Sequence, residues 1–101
     1  MIDYIREQLS QEELLCQLAE EASELAQAAL KLRRVYDGSN PTPTKRSEAF
    51  DNLKEEIADV ELVLMVLGYD RSILISEKHK RMDAKLIRWV NRLKERENDE
   101  K

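Results

Sequence analysis

Two glycines, Gly38 and Gly68, and two prolines, Pro41 and Pro43, are all that punctuate this chain of 101 residues. That scarcity constrains the fold more than any other feature. A β fold of many short strands needs turn residues between the strands, and this chain does not supply them. Neither a GxGxxG turn nor a phosphate-binding P-loop can be written with two isolated glycines. Any phosphate the chain handles must therefore be held by something other than a glycine loop. The expectation is a small all-α protein with a single domain over residues 1–101.

Local patterns divide the chain into helices. Residues 2–8 read as a short lead-in. Ser10 is a good N-cap, and Glu13 three residues later completes a capping box. From there to about Tyr36 the sequence is rich in Leu, Ala, Glu and Gln, which favours a long helix. Its apolar stripe runs Leu14, Leu18, Leu25, Ala28 and Leu32, with Glu21 inside it, stepping by four and three. Residues 37–44 form a break. A second long helix starts near Ser47 and runs to Leu67, with a stripe of Leu53, Ile57, Val60, Leu64 and Leu67. From Val60 to Leu67 it is apolar nearly all round, so this half should be buried on most sides. Gly68 fits its C-cap. Asp70 or Ser72 can cap a third long helix to about Arg96, striped by Ile75, His79, Met82, Leu86, Trp89 and Leu93, before a polar tail that frays.

Charge is divided unevenly along this pattern. Residues 1–70 carry 15 acids and 7 bases, a net of −8, whereas residues 71–96 carry 3 acids and 9 bases, a net of +6. The overall net charge is −4. No apolar run approaches membrane-spanning length, and the opening residues lack the basic-then-apolar order of a signal peptide. With one Cys, Cys16, no internal disulfide exists. A cytoplasmic protein with no membrane partner is the simplest expectation.

Two tetrapeptides carry the chemistry. Glu21-Ala-Ser-Glu24 and Glu56-Ile-Ala-Asp59 each set two carboxylates at i, i+3 on one helix face. Acids on helices are usually solvated, but position argues otherwise here. Glu21 lies between Leu18 and Leu25 on the stripe. A row through residues 53, 56, 60, 63 and 67 is apolar except at Glu56. Burying carboxylates without a partner costs several kcal/mol or forces them neutral. Four carboxylates on facing helices suit a hard cation, Mg²⁺ or Mn²⁺. A di-iron bundle needs Glu-x-x-His, and Ser76 stands three residues before His79, the one histidine. Zinc is disfavoured by the same lack of His and Cys. His79 reads as a hydrogen-bonded interior or interface residue. Glu61, alone in an apolar run, calls for an interhelical Lys or Arg.

These residues resemble the Glu-x-x-Glu … Glu-x-x-Asp signature of the MazG-like all-α nucleoside triphosphate pyrophosphohydrolases. The surrounding words QLAEEASELAQAALKLRR, NPTP, NLKEEIADVELVL and KLIRWVNRL are similar to that family over roughly residues 14–94. The resemblance implies Mg²⁺-dependent hydrolysis of an NTP or dNTP to the monophosphate and pyrophosphate. It implies Glu21, Glu24, Glu56 and Asp59 as metal ligands. A glutamate of that shell not fully engaged with metal can take a proton from water; Glu24 is the candidate chosen, although spacing does not separate ligand from base. It places a Lys and an Arg downstream, which Lys85 and Arg88 fit best, Lys78 and Arg81 being the competing register. Lys31 and Arg34 are further candidates for phosphate, although at a helix C-terminus they also favour the dipole. Gln17 is a candidate for reading a base edge and Trp89 for stacking on the base, against the plainer readings of a surface amide and a packing anchor.

The alternative is a non-catalytic helical interaction module, in which the acids pair with the basic helix. Nucleic-acid binding fits poorly with the acidic total and the lack of interleaved aromatics. Three helices of 20 to 27 residues span about 30–40 Å each, long for a domain whose radius of gyration should be about 13 Å. An antiparallel bundle of three long helices plus a short N-terminal helix, completed by a homodimer or homotetramer, follows. Light scattering at micromolar concentration should then return a mass well above the 11.8 kDa of one chain; a monomer mass overturns this expectation.

Overall fold

The computed structural model describes residues 1–39, 44–69 and 71–100, and of residues 72 and 73 the backbone alone. Four helices follow one another: α1 (Ile2–Gln8), α2 (Gln11–Asp37), α3 (Arg46–Val66) and α4 (Ser72–Asp99). No strand occurs among the described residues. The chain forms two compact units, Met1–Gly68 and Tyr69–Lys101.

In the first unit, α2 starts where Ser10 takes an extended backbone and its Oγ accepts the Glu13 N–H at 3.1 Å. The Glu13 carboxylate in turn accepts the Ser10 hydroxyl at 3.2 Å, a variant of the expected capping box. At its other end Gly38 adopts φ +75°, the left-handed conformation that closes helices and that a side chain resists. The Arg34 carbonyl accepts both the Gly38 and the Ser39 N–H groups. Asp37 is an acid at a negative helix end, and it is offset locally. Its carboxylate accepts the Ser39 hydroxyl and N–H, which hold its pKa below the usual carboxylate value, with smaller help from Arg33 and Arg34. Arg46, the first residue of α3, lies 4.3 Å from the Tyr36 ring centre and ties the two helix ends together.

That short connection makes α2 and α3 an antiparallel hairpin. Its core is Leu14, Ala28 and Leu32 from α2 with Ala49, Val63 and Val66 from α3. Leu18, Glu21 and Leu25 are half-buried between them, as are Leu53, Glu56, Val60 and Leu67. The seam on α3 is therefore the row through residues 53, 56, 60, 63 and 67. Ile57, expected in the stripe, is 40% exposed. The expectation that Val60 to Leu67 is buried on most sides fails within the chain, since Leu62 and Met65 are exposed. Glu61 is also exposed and makes no ion pair among the described residues, so burial does not demand a partner for it.

α1 closes the far end of α3. Arg6 donates from Nε to the Val66 carbonyl at 2.8 Å and from a terminal nitrogen to the Met65 carbonyl at 2.9 Å. Both carbonyls lie in the last turn, at the end of the helix that favours a cation, and the Met65 carbonyl also accepts the Gly68 N–H at 2.9 Å. The α3 cap falls on Leu67 rather than Gly68, which follows it at φ +89°. The N-cap is Lys45 rather than Ser47, without a side-chain hydrogen bond.

The second unit is built on α4. Its N-cap is Arg71 rather than Asp70 or Ser72, and Asp70, like residues 40–43 of the predicted break, lies outside the described residues. The helix continues through Asp99, beyond the expected end at Arg96, so the tail does not fray until there. Met82, Leu86, Trp89 and Leu93 share one face at helical spacing and are each more than half exposed. His79 is exposed as well, which removes the interior role expected for it within this unit. No helix among the described residues is long and apolar enough to cross a membrane.

Arg6→Leu should remove two charge-assisted bonds from a partly exposed guanidinium and cost about 1–2 kcal/mol of stability. Urea unfolding should show a lower midpoint at unchanged slope.

Candidate metal centre

The α2–α3 pairing brings together the four acids that the two tetrapeptides supply. One carboxylate oxygen from each of Glu21, Glu24, Glu56 and Asp59 lies within 4.8 Å of the others. The register explains why. Seven residues before Glu21 stands Leu14 and seven after stands Ala28; seven after Glu56 stands Val63 and seven before stands Ala49. An antiparallel hairpin that sets Glu21 opposite Glu56 thus sets Leu14 opposite Val63 and Ala28 opposite Ala49. All four of those apolar residues are buried. The acids form one polar layer in the seam, with an apolar layer about 10 Å away on either side.

Within the layer the four are not equivalent. Glu21 and Glu56 are half-buried, whereas Glu24 and Asp59, three residues on, are exposed. Oε2 of Glu21 and Oε2 of Glu56 are shielded from solvent and have no hydrogen-bond partner. Glu21 Oε1 accepts the Gln17 side-chain amide at 2.7 Å. No Lys or Arg forms an ion pair with any of the four acids among the described residues; the pairs present run along single helices. The Glu24 pKa is raised above its ordinary value of 4.5, first by the charge of Glu21, then by that of Glu56, with smaller contributions from desolvation and from hydrogen bonds to both.

Two unpartnered, shielded carboxylate oxygens beside two exposed carboxylates fit a bound cation. The donor set is all oxygen and all anionic, which suits a hard divalent ion such as Mg²⁺ or Mn²⁺. Cys16 and His79 are both exposed and outside the group, so nothing soft enters it.

The other predicted residues divide between the units. Lys31 and Arg34 are exposed on α2. Lys31 follows Glu24 by seven residues, on the same side of the helix and about 10 Å along it. Arg34 lies in the last turn of α2. Lys85, Arg88 and Trp89, with Lys78 and Arg81, are exposed on α4 in the second unit. Gln17, read from sequence as a candidate base reader, donates one amide N–H to Glu21; the i, i+4 spacing was the available signal for that bond.

No protein-family model, curated protein or solved structure matches this chain.

The raised pKa of Glu24 has a consequence for the metal-free protein. A carboxyl that binds its proton more tightly when folded stabilises the fold below its unfolded pKa, and this contribution is lost as pH rises through the folded pKa. Metal-free protein should therefore lose stability as pH climbs from 4.5 toward neutrality. Glu24→Gln should melt at a higher temperature than wild type at pH 7, with the gap closing in acid and shrinking in 0.5 M salt. Equal melting temperatures at pH 7 and low salt would refute this.

Proposed function

We propose that the chain is a Mg²⁺-dependent nucleoside triphosphate pyrophosphohydrolase, converting an NTP or dNTP and water to the monophosphate and pyrophosphate. The observation that carries this reading is the meeting of four carboxylates, from two tetrapeptides 35 residues apart, around two shielded oxygens without partners. The class of reaction comes from the resemblance of those tetrapeptides and their flanks to the MazG-like family.

Glu21, Glu24, Glu56 and Asp59 would hold the cation. Bound there, Mg²⁺ supplies neutralisation of phosphate charge and a more acidic water at neutral pH. Glu21 and Glu56 anchor from inside the seam, where packing restricts their torsions. Glu24, at the exposed edge, is the proton acceptor. Water loses its proton to the Glu24 carboxylate as its oxygen bonds to a phosphorus flanking the α–β bridge. The P–O bond from that phosphorus to the bridging oxygen breaks, and its electron pair leaves with the bridging oxygen on the departing group, pyrophosphate or the monophosphate according to which phosphorus is attacked. Lys31 and Arg34 on α2 are the cations of the same unit available to the phosphates, and the resemblance would assign that task to Lys85 and Arg88 as well. Trp89 offers a flat apolar face for the base. The exposed apolar stripe of α4, including Met82, Leu86 and Leu93, supports a homodimer or homotetramer as the working form.

A panel of the eight common nucleotides with Mg²⁺ tests this, with pyrophosphate distinguished from single phosphate. At least one nucleotide should yield monophosphate plus pyrophosphate. Glu56→Gln should lower turnover at least ~100-fold while keeping its helical circular dichroism, because removing one charged ligand from such a shell removes most of the metal's hold. Absence of pyrophosphate from every nucleotide would overturn the proposal.

A further inference from the structure

Gln17 is not among the four acids, yet it hydrogen-bonds one of their two shielded members, Glu21. Its Nε2 donates to Glu21 Oε1 at 2.7 Å, one turn along α2. The other oxygen, Oε2, is left shielded and unpartnered. The two oxygens of Glu21 are thus differentiated by the chain itself, one committed to an amide donor and one with its acceptor capacity unused.

We infer that Gln17 is a positioning residue for the metal centre: its amide orients the Glu21 carboxylate so that Oε2 is presented to a divalent cation. The inference rests on the metal-centre reading above. Three considerations support it. A glutamate side chain has three torsions, and ordering them at the moment of metal binding weakens affinity. A neutral amide donor orients the carboxylate without competing for the site, which a Lys or Arg at the same position would do through its charge. Partners of this kind, one step out from the metal, typically change affinity by 10–100-fold when removed. Gln17 is exposed, and truncating its amide leaves the Leu14–Val63 and Ala28–Ala49 layers untouched. The bond uses one of the two amide N–H groups of Gln17 and leaves its Oε1 unengaged by it.

Mn²⁺ is the probe, with binding measured by isothermal titration and by the electron paramagnetic resonance signal of the free ion, without nucleotide. Gln17→Met, which keeps length and loses the donor, should weaken Mn²⁺ binding about 10–100-fold. In a Glu21→Ala background the same change should have no further effect, since Gln17 acts through Glu21. The ranking of nucleotides in a turnover panel should be unchanged. Wild-type affinity in Gln17→Met, while Glu56→Gln loses binding, overturns the positioning role and leaves the metal centre standing. An equal loss in the Glu21→Ala background, or a changed base ranking, also overturns it. Failure of wild-type protein to bind Mn²⁺ overturns the metal centre and this inference together.

Discussion

Across the seam between α2 and α3, Glu21 stands opposite Glu56, two carboxylates in a row where helices ordinarily place leucine. Two turns away on each side the same seam is apolar, with Leu14 and Val63 buried on one side and Ala28 and Ala49 on the other. Those flanking layers hold the helices together and so force the acids to meet. Electrostatics alone would drive the four apart, as the raised pKa of Glu24 records. The hairpin is a scaffold that uses hydrophobic burial to concentrate like charge.

Such an arrangement costs stability unless a cation repays it. The core that must bear the load is thin: six buried apolar residues among those described, two of them alanine. Ends matter accordingly. Arg6 satisfies the α3 carbonyls at one end of the hairpin, and the Gly38 turn with the Tyr36–Arg46 contact fastens the other. Both devices lie well away from the acids, so they restrain the seam without taking up any of its carboxylate oxygens. Binding a metal would then add to stability by linkage, in proportion to its affinity for the folded state.

The second unit carries a different chemistry. α4 holds most of the positive charge of residues 71–96 and an apolar face that is exposed from Met82 to Leu93. Lys78, Arg81, Lys85, Arg88 and Arg92 step along one side of that face at helical spacing. Acid-rich and base-rich parts of the chain are thus segregated by unit as well as by position.

Much was legible in the residues themselves. The absence of glycine and proline over long stretches required helices, and the four-and-three spacing marked Leu14, Ala28 and Leu32 as buried before any fold was known. The place of Glu21 inside that stripe marked it as more than a surface acid. Other features were out of reach, because they depend on which helix faces which. By spacing the row through Ile57 was the more apolar of the two on α3, and only the pairing with α2 chose the one through Glu56 over it. Helix starts at Lys45 and Arg71 carry no side-chain cap, so no residue type announced them. The bond from Gln17 to Glu21 was permitted by spacing, but its meaning appeared only once Oε2 was seen shielded and alone. Periodicity is a local property that a single helix expresses. Convergence of four carboxylates within 4.8 Å is a property of two helices in register, which the apolar layers on either side impose.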